Sequence, residues 1–177
     1  MIAQTIQFFG VAPEALYNAW LSTTQHAAMA MDGNHPVTFY RPGVGEVTDI
    51  KEGDEIRALL LAKEEAAAFG FTDNTPHYFV NSTILKLVPG KLIVATWKNL
   101  GWNLALDKSK ATDLESTIIL TFKQNIAGSE IQFVQVNVPD YEVRFPNTGE
   151  TGHLSSLVNT HWSLVYWESM KQYFAKK

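Results

Sequence analysis

Apolar and polar residues alternate over most of the middle of the chain. Ile118, Leu120 and Phe122 fall on one face of the predicted strand 116–124, and polar residues fall mostly on the other. The same strand signal occurs at residues 4–11, 77–88, 91–98 and 129–138. Such alternation is typical of an antiparallel sheet with one buried face.

Strand and turn signals are mixed in the segments around this pattern. GEVTDI (45–50) and EIRALLLA (55–62) flank the turn residues 51–54, which predicts a β-hairpin. Residues 63–76 are rich first in Ala and Glu and then in turn residues, so we expect a short helix or a flap near one end of a cavity. Residues 140–152 are polar and predict a loop.

The first helical signal follows the first strand. Pro13 is suited to the first position of a helix, where its missing N–H costs nothing. Leu16, Ala19 and Trp20 recur at helical spacing, so we expect one helix that starts at Pro13 and is interrupted at the turn 32–34.

The last 24 residues contain the longest helical signal. Residues 154–175 have neither Gly nor Pro and predict a helix of about six turns. Trp162, Tyr166, Met170 and Tyr173 lie along one stripe of this helix. We therefore expect Trp162 and Met170 to face the sheet.

The order of these elements predicts an α+β fold of the helix-grip type. A curved antiparallel sheet would wrap around the long C-terminal helix, with a short helix after the first strand. The chain of 177 residues is long enough for one sizeable core, so we expect residues 1–177 to form a single domain.

Composition and charge narrow the range of partners. The net charge of -4 does not suit a protein that binds nucleic acid, since phosphate binding requires a basic surface. No apolar run approaches the ~18 residues of a membrane span, and the first residues do not resemble a signal peptide. With no cysteine in the chain, we expect a cytoplasmic protein without disulfides.

Candidate chemistry is sparse. The five histidines are His26, His35, His77, His153 and His161. No two have the spacing of a local metal site, and GVGEV (43–47) lacks the third glycine of a dinucleotide loop. The sequence therefore predicts no metal, no cofactor and no catalytic residue.

His161 and Glu168 have two interpretations. They are seven residues apart, so they lie on similar sides of the predicted helix and could act as an acid–base pair. Their direction is well away from the stripe of Trp162. We therefore favour the interpretation that both lie on a helix edge facing solvent or a loop.

Large aromatic residues are numerous enough to line a pocket. The candidates are Trp20, Phe39, Tyr78, Trp97, Trp102, Trp162 and Tyr166. Taken singly, each is better explained as core. Gln135 is in phase with Ile131 and Phe133, so its polar group needs a partner, which a ligand or water would supply. Alternatively, the opposite face of that strand is the buried one and a bulge shifts the register.

Five segments in this order resemble the START-like (SRPBCC) superfamily. They are APEALYNAWLS, LKLVPGKLIVATWKNLGW, STIILTF, VQVNVPD and THWSLVYWESMKQYF. Together they are similar to the C-terminal domain of the activator of heat-shock-protein ATPase and to its bacterial single-domain relatives. The resemblance implies a long last helix against a curved sheet, with an elongated cavity between them.

Some features depart from that family pattern. Nothing in the chain corresponds to the separate N-terminal domain of the eukaryotic activator, so activation of a chaperone is not implied. The segment 58–75 is longer than usual. His161 stands where relatives often have Gly, and Gln135 stands where many have His.

The sequence thus predicts a domain that binds a small hydrophobic or amphipathic molecule in an internal cavity. The predicted ligand-binding residues are Phe39, Tyr78, Trp97, Trp102, Gln135, Trp162 and Tyr166. Two alternatives stay open: an enzyme resembling polyketide cyclases and aromatases, and a chaperone-linked protein-interaction domain. A protein partner or a homodimer is compatible with either, because one fold hosts several functions.

Overall fold

The residues that the structure describes form ten strands and four helices. The computed structural model describes residues 1–30, 36–68, 70–99, 115–138, 141–144, 149 and 151–177. The strands are β1 (Ile2–Phe9), β2 (Val37–Arg41), β3 (Gly45–Glu46), β4 (Glu55–Leu60), β5 (Tyr78–Val88), β6 (Leu92–Asn99), β7 (Glu115–Asn125), β8 (Gly128–Val136), β9 (Glu142–Arg144) and β10 (Thr151–His153). The short helices are α1 (Pro13–Trp20), α2 (Thr23–Ala30) and α3 (Lys63–Ala68).

Eight of the strands form one antiparallel sheet in the order β1-β8-β7-β6-β5-β4-β2-β3. Ile131, Leu120 and Ile93 are fully buried on the face that the helices cover, which we call the inner face. Strand β7 alternates buried and more exposed residues from Glu115 to Phe122. The predicted sheet with one buried face is therefore confirmed, and so is the α+β helix-grip fold.

The predicted hairpin of 45–50 with 55–62 is wrong. Strand β3 is only two residues long and pairs with β2, while β4 pairs with β2 and β5. Residues after β3 are instead held by side chains, because the Arg41 guanidinium donates to the Asp49 carbonyl over 2.7 Å and to both carboxylate oxygens of the buried Asp54 over 2.8 Å. Such bonds satisfy the polar groups locally and make a backbone ladder unnecessary.

The single helix predicted from Pro13 is two helices, broken at Leu21 and Ser22. The Ser22 hydroxyl accepts a hydrogen bond from the Gln25 backbone N–H over 3.3 Å, as an N-cap residue does. His26 contacts the Trp20 carbonyl, at the end of α1, over 2.6 Å. The end of α1 and the start of α2 therefore each have a side chain that bonds their backbone groups. The predicted turn at 32–34 lies outside the described residues.

The polar segment 140–152, predicted as a loop, contains the paired strands β9 and β10. Thr151 lies opposite Arg144, and His153 lies opposite Glu142. The Leu154 N–H then donates to the Tyr141 carbonyl over 2.9 Å, which joins this small hairpin to the start of the last helix.

The last helix, α4, runs without interruption from 154 to 175, as predicted. It consists of the α-helical segments Leu154–His161 and Glu168–Ala175 and, between them, the π-helical turn Trp162–Trp167. Trp162 is 2% exposed and contacts rings of β6 and β8, so it faces the sheet as expected, and Met170 is fully buried.

Residues 63–76 contain α3, followed by a turn-rich segment that leads into β5. A short helix was one of the two forms predicted for this segment. Within the part of the chain that the structure describes, no helix is long and apolar enough to cross a membrane.

Candidate functional site

The interior between α4 and the sheet is built from closely packed aromatic rings. Trp162 lies at the centre: its ring centroid is 4.6 Å from that of Phe133, 5.1 Å from that of Trp97 and 4.9 Å from that of Tyr166. Planes that are tilted or perpendicular, as here, place the positive edge of one ring near the negative face of another. The four rings therefore form one rigid wall that involves β6, β8 and α4.

The π-helical turn explains how α4 brings so many rings to one side. In a π-helix each backbone hydrogen bond spans five residues, so residues five apart lie one turn apart. Trp162 and Trp167 are five apart, and their rings stack with centroids 5.6 Å apart and planes inclined by 26°. In an α-helix the same side chains would point about 140° apart, and one of them would leave the core.

Gln4 on β1 holds this turn from the sheet side. Its Nε2 donates to the Asn159 carbonyl over 3.0 Å and to the Ser163 hydroxyl over 2.8 Å. Its Oε1 accepts the indole N–H of Trp167 over 2.7 Å. The amide therefore fixes both the backbone that enters the π-turn and the aromatic ring that leaves it.

A chain of hydrogen bonds crosses the aromatic wall at Gln135. The Trp162 indole N–H donates to Gln135 Oε1 over 2.8 Å, and Gln135 Nε2 donates to Ser116 Oγ over 2.7 Å. Ser116 Oγ in turn donates to the Trp97 carbonyl over 3.2 Å. Gln135 lies on the inner face and is fully buried. The alternative of a shifted register is therefore wrong at this position, and protein groups bond both ends of the Gln135 amide.

A second buried polar group joins α1, α2 and α4. His26 Nδ1 lies 2.6 Å from the Trp20 carbonyl, which can only accept, so Nδ1 carries the proton. Nε2 is then free to accept the Tyr166 hydroxyl over 2.9 Å. Burial lowers the pKa of His26 to about 4, against the raising effect of the Trp20 carbonyl, so the imidazole is neutral at pH 7.

Tyr166 is held in its neutral form as well. Burial raises the pKa of its hydroxyl, and the neighbouring Trp20 side chain offsets only part of the rise. The His26–Tyr166 contact is consequently a hydrogen bond between two uncharged groups. Burying the pair in this form costs less free energy than burying a charged group.

Some buried polar atoms have no such partner. Among the described residues, Trp20 Nε1, Ser82 Oγ and Ser129 Oγ are buried and make no hydrogen bond. Ser82 is opposite Ile56 on β4, and the pairing of its neighbour Asn81 with Lys98 places it next to Trp97 on β6. Ser82 and Trp97 are both buried, so an unpartnered hydroxyl lies beside the aromatic wall.

Most of the predicted site residues come together in this interior. Phe39, Trp97, Gln135, Trp162 and Tyr166 are all buried on the inner face of the sheet or on the side of α4 that packs against it. Tyr78 is half-buried at the start of β5 and lines a cavity on the flank of the molecule instead. Trp102 lies outside the described residues.

Sequence reasoning missed the polar residues that organise the interior. Gln4 and Ser82 occupy inward positions of alternating strands, in phase with Ile6 and Ile84, and this was a usable signal. His26 gave no local signal, because its partner Tyr166 is 140 residues away.

His161 and Glu168 are exposed, and Glu168 forms an ion pair with Lys171 over 2.8 Å. The interpretation as a helix edge facing solvent is thus confirmed. Among the residues that the structure describes, no group of three His, Asp or Glu side chains is arranged to hold a metal ion.

Two cavities open beside α3. The first, the α3 cavity, has a volume of about 490 Å³ and is lined by Leu60, Leu61, Lys63, Ala66, Ala67, Phe71, Thr72, Asp73, Asn74, Thr75, Pro76 and His77. The second, the Arg57 cavity, has about 380 Å³ and is lined by Arg57, Phe71, Thr75, Pro76, His77, Tyr78, Asn81 and Lys98. They share the four residues Phe71, Thr75, Pro76 and His77, so they adjoin along one segment of chain.

The curved sheet gripping a long C-terminal helix defines this protein as a helix-grip α+β domain. Residues 11–175 match the family described as "Activator of Hsp90 ATPase homolog 1-like protein", and the chain belongs to that family, which lies within the SRPBCC superfamily. The fold supports a ligand-binding or chaperone-linked role in general terms.

Solved structures share the fold at low sequence identity. An HSP90 activator from Plasmodium falciparum is 15% identical, with a TM-score of 0.59, and the match covers 98% of this chain and 94% of that one. A protein from Chromobacterium violaceum is 17% identical, with a TM-score of 0.56 and coverage of 99% and 94%. A protein of unknown function from Staphylococcus aureus is 13% identical, with a TM-score of 0.57 and coverage of 99% and 94%. No curated protein sequence matches the chain.

Proposed function

We propose that the protein is a single domain that binds a small hydrophobic or amphipathic molecule between α4 and the inner face of the sheet. One observation carries the proposal: the buried Ser82 hydroxyl has no hydrogen-bond partner among the described residues and lies beside Trp97. A buried unpaired hydroxyl costs about 1–3 kcal/mol, so a ligand or water that bonds it gains free energy.

The surrounding side chains suit an apolar ligand with a few polar atoms. Trp97, Trp162 and Tyr166 supply ring faces, and burying apolar ligand area against them contributes about 25 cal/mol per Å². Both ends of the Gln135 amide are bonded, to Trp162 and to Ser116. Gln135 would therefore contribute to the site mainly by orienting the Trp162 ring. Phe39 belongs to the proposed site as well, whereas Tyr78 lines the cavity on the flank.

Fluorescence with a neutral apolar probe tests this proposal. N-phenyl-1-naphthylamine should bind saturably and quench tryptophan emission, because Trp97 and Trp162 belong to the proposed site. Ser82→Val should weaken binding several-fold, since it fills the space near Trp97 and removes the hydroxyl.

Ser129→Val is the matched control. Ser129 is also buried and unpartnered, but it lies opposite Phe8 near the other end of the sheet, away from Trp97. Its substitution should leave probe binding unchanged. Absence of saturable binding, or equal weakening by the two substitutions, would contradict a ligand site under α4.

Protein interaction is a second candidate, favoured by a different observation. Leu164 and Val165 on the outer side of α4 are 69% and 43% exposed. The family, and the structural similarity to an HSP90 activator, make a chaperone a reasonable partner to test. Leu164→Asp should abolish binding to a chaperone of the Hsp90 type, measured by surface plasmon resonance, if this second function is correct.

A further inference from the structure

We propose that the two cavities beside α3 form one site for an amphipathic carboxylate, whose charged head lies at Arg57 and Lys98. The inference rests on the proposed function only for the class of ligand, since it places the site on the flank of the molecule and adds a negative charge. No tryptophan of the described residues lines either cavity, so the two sites are separable by experiment.

The Arg57 cavity has a cationic floor. Arg57, Asn81 and Lys98 are opposite one another on β4, β5 and β6, because Arg57 pairs with Asn81 and Asn81 pairs with Lys98. Each follows or precedes a buried inner-face residue, so all three project from the outer face. Neighbouring strands are about 4.8 Å apart, so the Cα atoms of Arg57 and Lys98 lie roughly 10 Å apart with Asn81 between them.

Arg57 is held in place before any ligand arrives. Its guanidinium carbon lies 3.7 Å above the centre of the Tyr40 ring and 5.6 Å from that of Tyr78. Glu55 accepts from Arg57 Nε over 2.8 Å and from one terminal nitrogen over 2.6 Å. A guanidinium has five N–H donors in a fixed plane, so a second carboxylate can bind an arginine that is already paired with one.

The charge of the lining favours an anion. Lys98 forms an ion pair with Glu115 over 2.7 Å, but its side chain is 59% exposed and therefore accessible to a ligand. Glu55 and Glu115 do not line the Arg57 cavity, and no carboxylate does among the described residues. The lining of the Arg57 cavity itself therefore carries two positive charges and no negative one, and the counter-ion of each cation lies outside the lining.

The adjoining α3 cavity offers an apolar chamber for the rest of the ligand. Half of its twelve lining residues are apolar: Leu60, Leu61, Ala66, Ala67, Phe71 and Pro76. Leu60 is 57% exposed and would lose that exposure against an alkyl chain. Phe71 and His77 line both cavities, and their rings are stacked with centroids 3.9 Å apart, so one flat aromatic surface is common to the two cavities.

The segment between α3 and β5 is shaped by its own hydrogen bonds. Asp73 accepts from the Thr75 hydroxyl and contacts His77 Nε2, each over 2.7 Å. The carboxylate of Asp73 is therefore engaged within the segment. Asp73 lines the α3 cavity but not the Arg57 cavity, where the proposed ligand head lies.

Calorimetric titration with decanoate, below its micellar concentration, tests the inference. Decanoate should bind saturably and more weakly as salt is added, and decyltrimethylammonium, with the opposite charge on the same chain, should not bind. The paired variant Arg57→Gln/Glu55→Gln removes the cation without leaving an unpaired carboxylate and should weaken decanoate binding at least tenfold. Lys98→Gln should weaken it about threefold.

Lys86→Gln is the control for a general loss of positive charge, because Lys86 pairs with Glu52 away from both cavities. It should leave decanoate binding unchanged. Backbone amide resonances of residues 71–81 should shift on titration, and those of β8 should not.

Three results would overturn the inference. Decanoate could fail to bind, decyltrimethylammonium could bind equally well, or binding could be lost in Ser82→Val and kept in the Arg57 variant. In the third case the proposed function under α4 stands and only the flank site is rejected. If the neutral naphthylamine also fails to bind, both proposals are rejected.

Discussion

The interior under α4 and the flank beside α3 both carry polar side chains, on opposite faces of the same sheet. Under α4 they are neutral: Gln4, Gln135 and His26 are bonded to indole, hydroxyl and carbonyl groups. On the flank they are charged, and Arg57 and Lys98 each have a carboxylate partner. The difference follows from solvent, since burying a charge costs far more than burying a paired amide.

The polar groups of the two faces of the sheet therefore have different roles. Neutral polar groups inside fix the direction of large rings, because each hydrogen bond has a defined geometry. Charges outside stay accessible and can exchange one partner for another. The interior should therefore respond to substitution mainly in stability, and the flank mainly in binding.

The largest expected effect is a loss of folding stability at low pH, caused by protonation of His26 in the unfolded chain. The pKa of His26 is lowered to about 4 in the folded protein, from an ordinary value of 6.5. The unfolded chain therefore binds a proton first, and stability is complete above pH 6.5 and falls as pH drops toward 4. At 1.36 kcal/mol per pKa unit, about 2.5 kcal/mol should be lost between pH 7.5 and pH 4.5.

Urea unfolding at the two pH values measures this loss. The variant His26→Gln cannot titrate, so its free energy of unfolding should change much less over the same range. If wild type and variant lose the same amount, other groups cause the acid sensitivity and His26 is not buried in a neutral form.

The next largest effect is a difference in stability between substitutions of Gln4 and Gln7, two glutamines of β1. Gln4→Leu leaves the Trp167 indole N–H without its partner, which should cost about 2 kcal/mol. Gln7→Leu on the exposed side of β1 removes bonds to Glu130 and Asn125 that water can replace, so its effect should be below about 0.5 kcal/mol. Chemical denaturation of both variants compares them, and near-ultraviolet circular dichroism should change only for Gln4→Leu. Equal stabilities would mean that the π-turn does not depend on Gln4.

Most of the fold could be predicted because it depends on local alternation. The strands β5 to β8 and the helix α4 are marked by periodicity alone, and the structure confirms them. The pairing of β3 with β2 was missed because side chains of Arg41 and Asp54 settle it, and their contact spans 13 residues.

The candidate site was harder to predict than the fold for a similar reason. A helical wheel with 100° per residue places Trp167 about 140° from Trp162, whereas the π-turn stacks the two rings. The turn is bonded to Gln4, more than 150 residues away, and this contact leaves no local pattern in the sequence. Likewise, the unpartnered state of Ser82 becomes visible only when the neighbouring strands are in register.

The smallest expected effect on stability is at Lys98, and it distinguishes the outer face of the sheet from the interior most clearly. Lys98 and Glu115 are 59% and 45% exposed, and an ion pair between such groups contributes little because water screens it. Lys98→Gln should leave the urea midpoint of unfolding unchanged within error, while the same variant weakens decanoate binding about threefold. A residue of the interior cannot behave in this way, since its loss would lower stability as well. If Lys98→Gln instead shifts the midpoint as much as Gln4→Leu does, the flank is part of the structural core and the division between the two faces is incorrect.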